Sequence, residues 1–258
     1  MSESYDPHFF SPLFAAEDRH FWFQSRNQVI GEMARQITGG LAPGYMALEV
    51  GCGTGNVLRV LEDACSTGSV TGMDLFPEGL RYARQRTDCP LVAGDMLTPP
   101  FNDGRFALIG LFDVLEHLSD DDKVLRHLAK MLSADGALLL TVPAYPQLWS
   151  YFDEAAHHCR RYRPADLEER LVGAGYCVEY LTPYMATLFP LIWATRKLGS
   201  RAGQHSQEDL REMVSSDLRI VPGLNGMLRW WLAGELPLIR RRWQLPFGTS
   251  LLAVARKG

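Results

Sequence analysis

The sequence predicts an α/β fold, a doubly wound parallel sheet with helices on both faces. Three observations carry that expectation. An apolar run, Ala47-Leu48-Glu49-Val50, breaks into glycines at alternate positions, Gly51, Gly53 and Gly55, and resumes as a helix-periodic segment with Val57, Leu58, Val60 and Leu61 apolar. A second apolar strand, Ser69 to Met73, ends in Asp74, 19 positions beyond Gly55. In a β-α-β unit that distance brings the end of the second strand alongside the first turn. Strands and helices then alternate as far as Pro143, the pattern of a sheet whose crossovers are helices.

With 258 residues and a formal net charge of −4, the chain suits one large core with an elaboration and lacks the basic balance of a protein that coats nucleic acid. Its cysteines, Cys52, Cys65, Cys89, Cys159 and Cys177, form no C-x-x-C pair and read as reduced thiols of a cytoplasmic protein. The start, Met1 to Asp6, is too polar for a signal peptide, and no apolar run approaches the ~20 residues that span a bilayer. The expected location is therefore cytoplasmic.

Residues 1–44 read as an N-terminal helical segment or lid. Val29, Ile30, Met33 and Ile37 fit an amphipathic helix packed on the sheet. Ahead of them, Glu17 to Arg26 is aromatic and charged together. Two readings stand: packing alone, or Arg26 pairing with a ligand carboxylate while Trp22 closes over the site.

The glycine turn places bare backbone at the carboxyl edge of the sheet, where open α/β sheets bind ligands. A dinucleotide fingerprint, G-x-G-x-x-G, needs a third glycine where Asn56 stands. Glu49 would repel a pyrophosphate and suits a ligand carrying an ammonium group. Asp74 can accept from both hydroxyls of a ribose, or cap the helix that starts near Pro77. A helix over Glu78 to Arg86 follows, then a short strand, Cys89 to Met96, passing through Gly94-Asp95. Phe106 to Phe112 is the fourth strand, followed by Asp113-Val114-Leu115-Glu116-His117-Leu118. Acids Asp120, Asp121 and Asp122 open the next helix, where its dipole favours them. That helix runs to Leu132, Ser133 to Gly136 end it, and Ala137 to Pro143 form the fifth strand.

Glu49-Val50-Gly51-Cys52-Gly53-Thr54-Gly55 resembles motif I of the class I S-adenosylmethionine-dependent methyltransferases. Asp74, Gly94-Asp95 and Val114-Leu115-Glu116-His117-Leu118 extend the likeness over about residues 45–180 and the last strand. The final motif is similar to the subgroup that methylates small molecules such as quinone precursors. The resemblance implies a Rossmann-like seven-stranded sheet, mostly parallel with an antiparallel last strand, and S-adenosyl-L-methionine as cofactor. It implies that Asp95 accepts from the adenine amino group, with Met96 beside the ring, and that Leu75 and Phe112 line the cofactor. Glu116 and His117 would turn to the cleft or brace neighbouring loops. Bracing is favoured, since methyl transfer often needs only positioning, while His117 stays a candidate general base.

Past Pro143 lies a second dense stretch with Tyr145, Trp149, Asp153 and His157-His158-Cys159-Arg160-Arg161. It follows a strand and should overhang the cleft. Acceptor contacts are expected from Trp22, Tyr145, Arg160 and Arg161, and proton removal from His157 or His158. No metal is expected here: the two histidines are adjacent, not i, i+4, and Asp153 is the one obvious third ligand.

Pro164 to Gly175 reads as a helix and Tyr176 to Tyr180 as the sixth strand. Only Phe247 to Arg256 fits the seventh. The domain is then 45–180 with 246–258, and 181–245 is a helical insertion before the last strand. Its greasy segment from Tyr184 to Ala194 and its Trp- and Arg-rich segment from Leu224 to Trp243 suit a lid over a lipid-like acceptor or a peripheral membrane contact. They equally suit a cap buried on the core or on a twin subunit in a homodimer. Residues 199–218 read as a polar, mobile connector.

The expected function is methyl transfer to a small-molecule acceptor that is anionic, lipid-linked or glycosylated. Nucleic acid is not expected as a partner, because no Asn/Asp-Pro-Pro-Tyr/Phe motif follows the fourth strand. The alternatives are a nicotinamide-dependent oxidoreductase and a non-catalytic S-adenosylmethionine-binding scaffold.

Overall fold

The structure, a computed structural model, describes residues 6–199, 209, 213 and 216–258. Most of the connector read over 199–218 lies outside the described residues. Seven strands form one sheet: β1 (Met46–Val50), β2 (Ser69–Asp74), β3 (Leu91–Ala93), β4 (Phe106–Phe112), β5 (Leu132–Pro143), β6 (Tyr176–Tyr184) and β7 (Ser250–Lys257). Their order is β3-β2-β1-β4-β5-β7-β6. The first five run parallel, and β7 is antiparallel to both β5 and β6. The mostly parallel sheet with an antiparallel last strand is thus present.

The helices are α1 (Phe10–Ala16), α2 (Phe21–Thr38), α3 (Asn56–Ala64), α4 (Pro77–Ala83), α5 (Asp121–Met131), α6 (Tyr151–Ala155), α7 (Pro164–Gly173), α8 (Phe189–Gly199), α9 (Leu224–Ala233) and α10 (Leu236–Arg240). Alternate residues of the parallel strands face opposite ways, and both sets are buried. On one face Leu108 and Leu139 meet Ile30 and Met33 of α2 and Leu58 and Leu61 of α3. On the other, Ile109 and Leu138 meet Leu125 and Leu128 of α5 and Leu167 and Leu171 of α7. A sheet covered on both faces in this way reads in sequence as near-continuous apolar runs. The strand order reverses between β1 and β4, and such a switch point opens a crevice at the carboxyl ends of the strands.

Several boundaries differ from those the sequence suggests, and three of them bear on the sheet and the insertion. β5 starts at Leu132, directly after α5, so Ser133 to Gly136 belong to the strand. A register shift against β4 between Phe106 and Leu108 accommodates them. β6 runs on to Tyr184, with Thr182, Pro183 and Tyr184 opposite Leu252, Leu251 and Ser250. Pro183 looks like a strand breaker, but β6 is an edge strand, where a missing N–H costs no ladder bond. The insertion therefore begins after Tyr184 and not at residue 181. Within it, Asn225 of α9 accepts from the Phe21 N–H (2.7 Å) and donates to the Arg19 carbonyl (2.9 Å). These bonds join the insertion to the N-terminal helices over one side of the crevice.

Candidate active site

The glycine turn after β1 takes its shape from backbone that other residues rarely adopt: φ is +73° at Gly51, +49° at Gly53 and +76° at Gly55. A Cβ on Gly51 would lie 2.5 Å from Val114 Cγ2, so the close approach there is to the loop after β4. A Cβ on Gly55 would lie 2.9 Å from the Ala83 backbone. Gly55 therefore serves the packing of α3 on α4, and it is not among the residues that line the cavity.

Asp74, at the end of β2, braces the turn. Its Oδ2 accepts from the Gly53 N–H (2.7 Å) and its Oδ1 from the Phe76 N–H (2.8 Å). Burial pushes the Asp74 carboxyl above its ordinary range, against the pull of these backbone donors. Glu49 lies deeper, 2% exposed, and its Oε2 has no hydrogen-bond partner. Burial drives its carboxyl well above the ordinary 4.5, opposed by the Arg26 charge and reinforced by Asp74 and Glu17. Arg26 itself is buried in an ion pair with Asp113 (Nη1 to Oδ2, 2.9 Å), its guanidinium 5.0 Å from the Trp22 ring centre.

One group of residues here gave no sequence signal. Arg86 binds Glu17 (2.6 Å), the Thr54 hydroxyl (2.8 Å) and the Phe14 carbonyl (2.8 Å), and stacks 4.2 Å over the Phe14 ring. These contacts clamp α1 onto the glycine turn from positions 69 residues apart in the chain. Only the folded chain brings them together.

The turn opens into a cavity of about 1810 Å³. Glu49, Gly51, Gly53, Asp74, Leu75, Asp95, Met96, Phe112, Trp22 and Arg26 line it, and so do His117, His157, His158 and Arg161. Tyr145 and Arg160, expected to meet the acceptor, are not among the lining residues. Tyr145 packs its ring on Phe189 (5.8 Å between centres). Arg160 is turned to the start of α5, binding Asp121 Oδ2 (2.7 Å) and the Ser119 carbonyl (3.0 Å). A stretch rich in arginine offered several cations, and the acids at the α5 N-terminus captured this one.

At the far side of the cavity two loops meet. Leu115, Glu116 and His117 form a single 3₁₀ turn after β4, and the Cys159 N–H donates to the Glu116 carbonyl (2.7 Å), fastening the loop after α6 against it. The rings of His117 and His158 stand edge to face, 4.7 Å apart. His158 Nδ1 lies 2.9 Å from Asp153 Oδ1, which also accepts from Arg161 Nε (2.7 Å). Burial alone would raise the Asp153 carboxyl, but the His158 bond and the Arg161 charge outweigh it and hold it at about 2. Glu116 is 1% exposed, and neither carboxyl oxygen has a hydrogen-bond partner. Burial pushes its carboxyl well above 4.5, with the Asp113 charge adding to the effect.

A family model described as a methyltransferase domain matches residues 16–181. The chain belongs to the class I S-adenosylmethionine-dependent methyltransferases. It is 28% identical over 169 residues to a malonyl-[acyl-carrier protein] O-methyltransferase of Legionella pneumophila, covering 60% of each chain. It is 28% identical over 122 residues to a demethylmenaquinone methyltransferase of Shouchella clausii, covering 42% of this chain and 52% of that one. The chain thus spans 60% and 52% of the length of these two curated relatives. A solved structure of a candidate sarcosine dimethylglycine methyltransferase from Galdieria sulphuraria superposes with a TM-score of 0.64 at 15% identity over 98% of each chain, a likeness of fold. Membership sets the nicotinamide-dependent alternative aside and assigns S-adenosylmethionine as the cofactor. The site fits that cofactor: the unpaired, buried Glu49 Oε2 suits an ammonium group, and Asp74 stands at the strand end where a ribose would lie.

Proposed function

We propose that this chain transfers the methyl group of S-adenosylmethionine to a small amphipathic acceptor held between the glycine turn and the Glu116–His158 loops. The observation that carries the reading is the Glu49 oxygen, buried and unpaired at the edge of a large cavity. Glu49 receives the ammonium of the cofactor, Asp74 its ribose hydroxyls and Asp95 its adenine amino group, with Leu75, Met96 and Phe112 packing on the rings. Arg26, already balanced by Asp113, anchors the carboxylate side and supports Trp22 as a cover that excludes water. When bound, the cofactor supplies an electrophilic methyl carbon on a sulfonium and a neutral thioether as leaving group. The protein's own work is alignment, worth far more than any single contact when the geometry is near attack. His157 lines the cavity and is available to take the acceptor's proton. The Legionella relative is named for O-methylation, which supports an oxygen nucleophile. The test has two arms. Calorimetry should show one S-adenosylhomocysteine bound per chain, and labelled S-adenosylmethionine with fractionated extract should pass its label to a small-molecule fraction. Label confined to protein or nucleic acid would contradict the acceptor class.

The helical insertion supports an acceptor that resides in lipid. Trp230 is 74% exposed, and Leu191, Trp193, Met227, Trp231 and Trp243 of the same insertion are exposed too. Arg229, Arg240 and Arg241 stand among them in the chain. Exposed tryptophan beside arginine suits the interface of an anionic membrane, each basic residue adding ~1 kcal/mol near the surface. Among the described residues no helix is long and apolar enough to cross a membrane. The chain should co-sediment with phosphatidylglycerol vesicles in a salt-sensitive way, and Trp230→Ala with Trp231→Ala should weaken this about tenfold, the effect of ~1.4 kcal/mol. Sedimentation that ignores vesicles, with a dimer that the same variants dissociate, would assign this face to a twin subunit.

A further inference from the structure

Glu116, His117 and His158 come from two loops, and each offers one ligand atom such that all three lie within 4.8 Å of one another. The arrangement has features that packing alone does not explain. His158 Nε2 and Glu116 Oε1 are 3.9 Å apart, too far for a hydrogen bond, so the two groups face one another without bonding. Two atoms bound to one cation at ~2.1 Å each stand about 3–3.5 Å apart, so a small inward movement would complete such a set. The Glu116 carboxyl is 1% exposed, has no hydrogen bond on either oxygen, and lines the cavity. A buried carboxyl left in that state is costly unless something arrives to bind it.

The surroundings point to the same conclusion. Asp153 Oδ1 lies 2.9 Å from His158 Nδ1 and 2.7 Å from Arg161 Nε, so it stands behind the ring on the side away from Glu116. With Nδ1 turned to Asp153, the nitrogen of His158 that faces Glu116 is Nε2. Metal-ligating histidines commonly have such a carboxylate behind them.

We propose that Glu116, His117 and His158 form a site for one divalent first-row transition-metal ion, which in turn holds an oxygen of the methyl acceptor. Two imidazoles and a carboxylate favour zinc, manganese, iron(II) or cobalt(II) over magnesium or calcium, whose preference is for all-oxygen sets. Three protein ligands leave coordination positions open toward the cavity. An acceptor with a hydroxyl or a pair of vicinal hydroxyls fits there. The second half of the proposal rests on the methyl-transfer reading above; the ion site itself does not. Local spacing hides the site because Asp153, the obvious neighbour of the histidines, stands behind His158, whereas the other two ligands, His117 and Glu116, lie 41 and 42 positions earlier in the chain.

The test uses the full chain, stripped with chelator, and cobalt(II) or zinc(II) alone as probe. One ion should bind per chain, with visible d–d absorption for cobalt. Glu116→Gln and His158→Ala should each weaken it by about a hundredfold, whereas S-adenosylhomocysteine binding stays close to that of the parent. Should either variant lose S-adenosylhomocysteine binding as well, Asp153→Asn keeps all three ligands and is expected to weaken the ion ~10–100-fold as a positioning change. Two results overturn the proposal: no stoichiometric ion on a chain that still binds S-adenosylhomocysteine, or ion binding untouched in all these variants. An ion bound without any S-adenosylhomocysteine binding would instead uphold the site and sink the cofactor reading.

Discussion

Asp74→Asn is expected to weaken S-adenosylhomocysteine binding at least a hundredfold while leaving the fold in place. The side chain keeps its size, so nothing in the packing of β2 changes. Its hydrogen-bond capacity does change. A carboxylate can accept about four bonds, and the Gly53 and Phe76 N–H groups use one on each oxygen. The remaining capacity is what two ribose hydroxyls need. Asparagine replaces one oxygen by an NH₂, which must then oppose either the Gly53 or the Phe76 N–H. One backbone donor at the turn loses its acceptor, and one ribose hydroxyl meets a donor in place of a charge. Hydrogen bonds to a charged group contribute about 1.5–3 kcal/mol, and ~2.7 kcal/mol is a factor of a hundred. Calorimetric titration reads the binding loss, and thermal unfolding without ligand reads the cost at the turn alone. An affinity within twofold of the parent would remove Asp74 from the binding site.

The sheet and the glycine turn were legible in the sequence because they rest on short-range patterns. Alternating runs, the three glycines and the acid at the end of β2 all lie within 28 residues, from Ala47 to Asp74. What the sequence did not disclose depends on contacts between distant loops. Arg86 reaches Glu17 and Thr54, and Asp121 draws Arg160 out of the acceptor site, through partners that no spacing rule connects. The same holds for Glu116 opposite His158, which are 42 positions apart. The end of β6 is hidden for a different reason. Proline usually ends a strand, and the edge position that excuses Pro183 is a property of the sheet order.

Glu49→Gln should produce a reversal: the variant is the more heat-stable protein without ligand and the weaker binder with it. Glu49 is fully enclosed and its carboxyl titrates well above 4.5, chiefly because burial penalises the charge. Below pH 4.5 the folded and unfolded chains both hold the proton, and the share of stability that depends on it is complete. As pH rises the unfolded side chain ionises first, so the folded state loses ~1.4 kcal/mol per pH unit until its own, higher pKa is passed. Glutamine has no proton to lose, so the melting temperature of the variant should pull ahead of the parent as pH rises above 4.5. An ammonium group placed at the unpaired Oε2 changes the balance, because it favours the ionised carboxyl. Binding of S-adenosylhomocysteine to the parent should therefore tighten with rising pH across the same interval and release a proton. Buffers of different ionisation enthalpy make that proton visible in calorimetry. The variant should bind at least tenfold more weakly at pH 8, with the pH dependence gone. A parent whose affinity is flat from pH 5 to 8, and a variant that matches it, would mean that the ammonium of the cofactor does not reach Glu49.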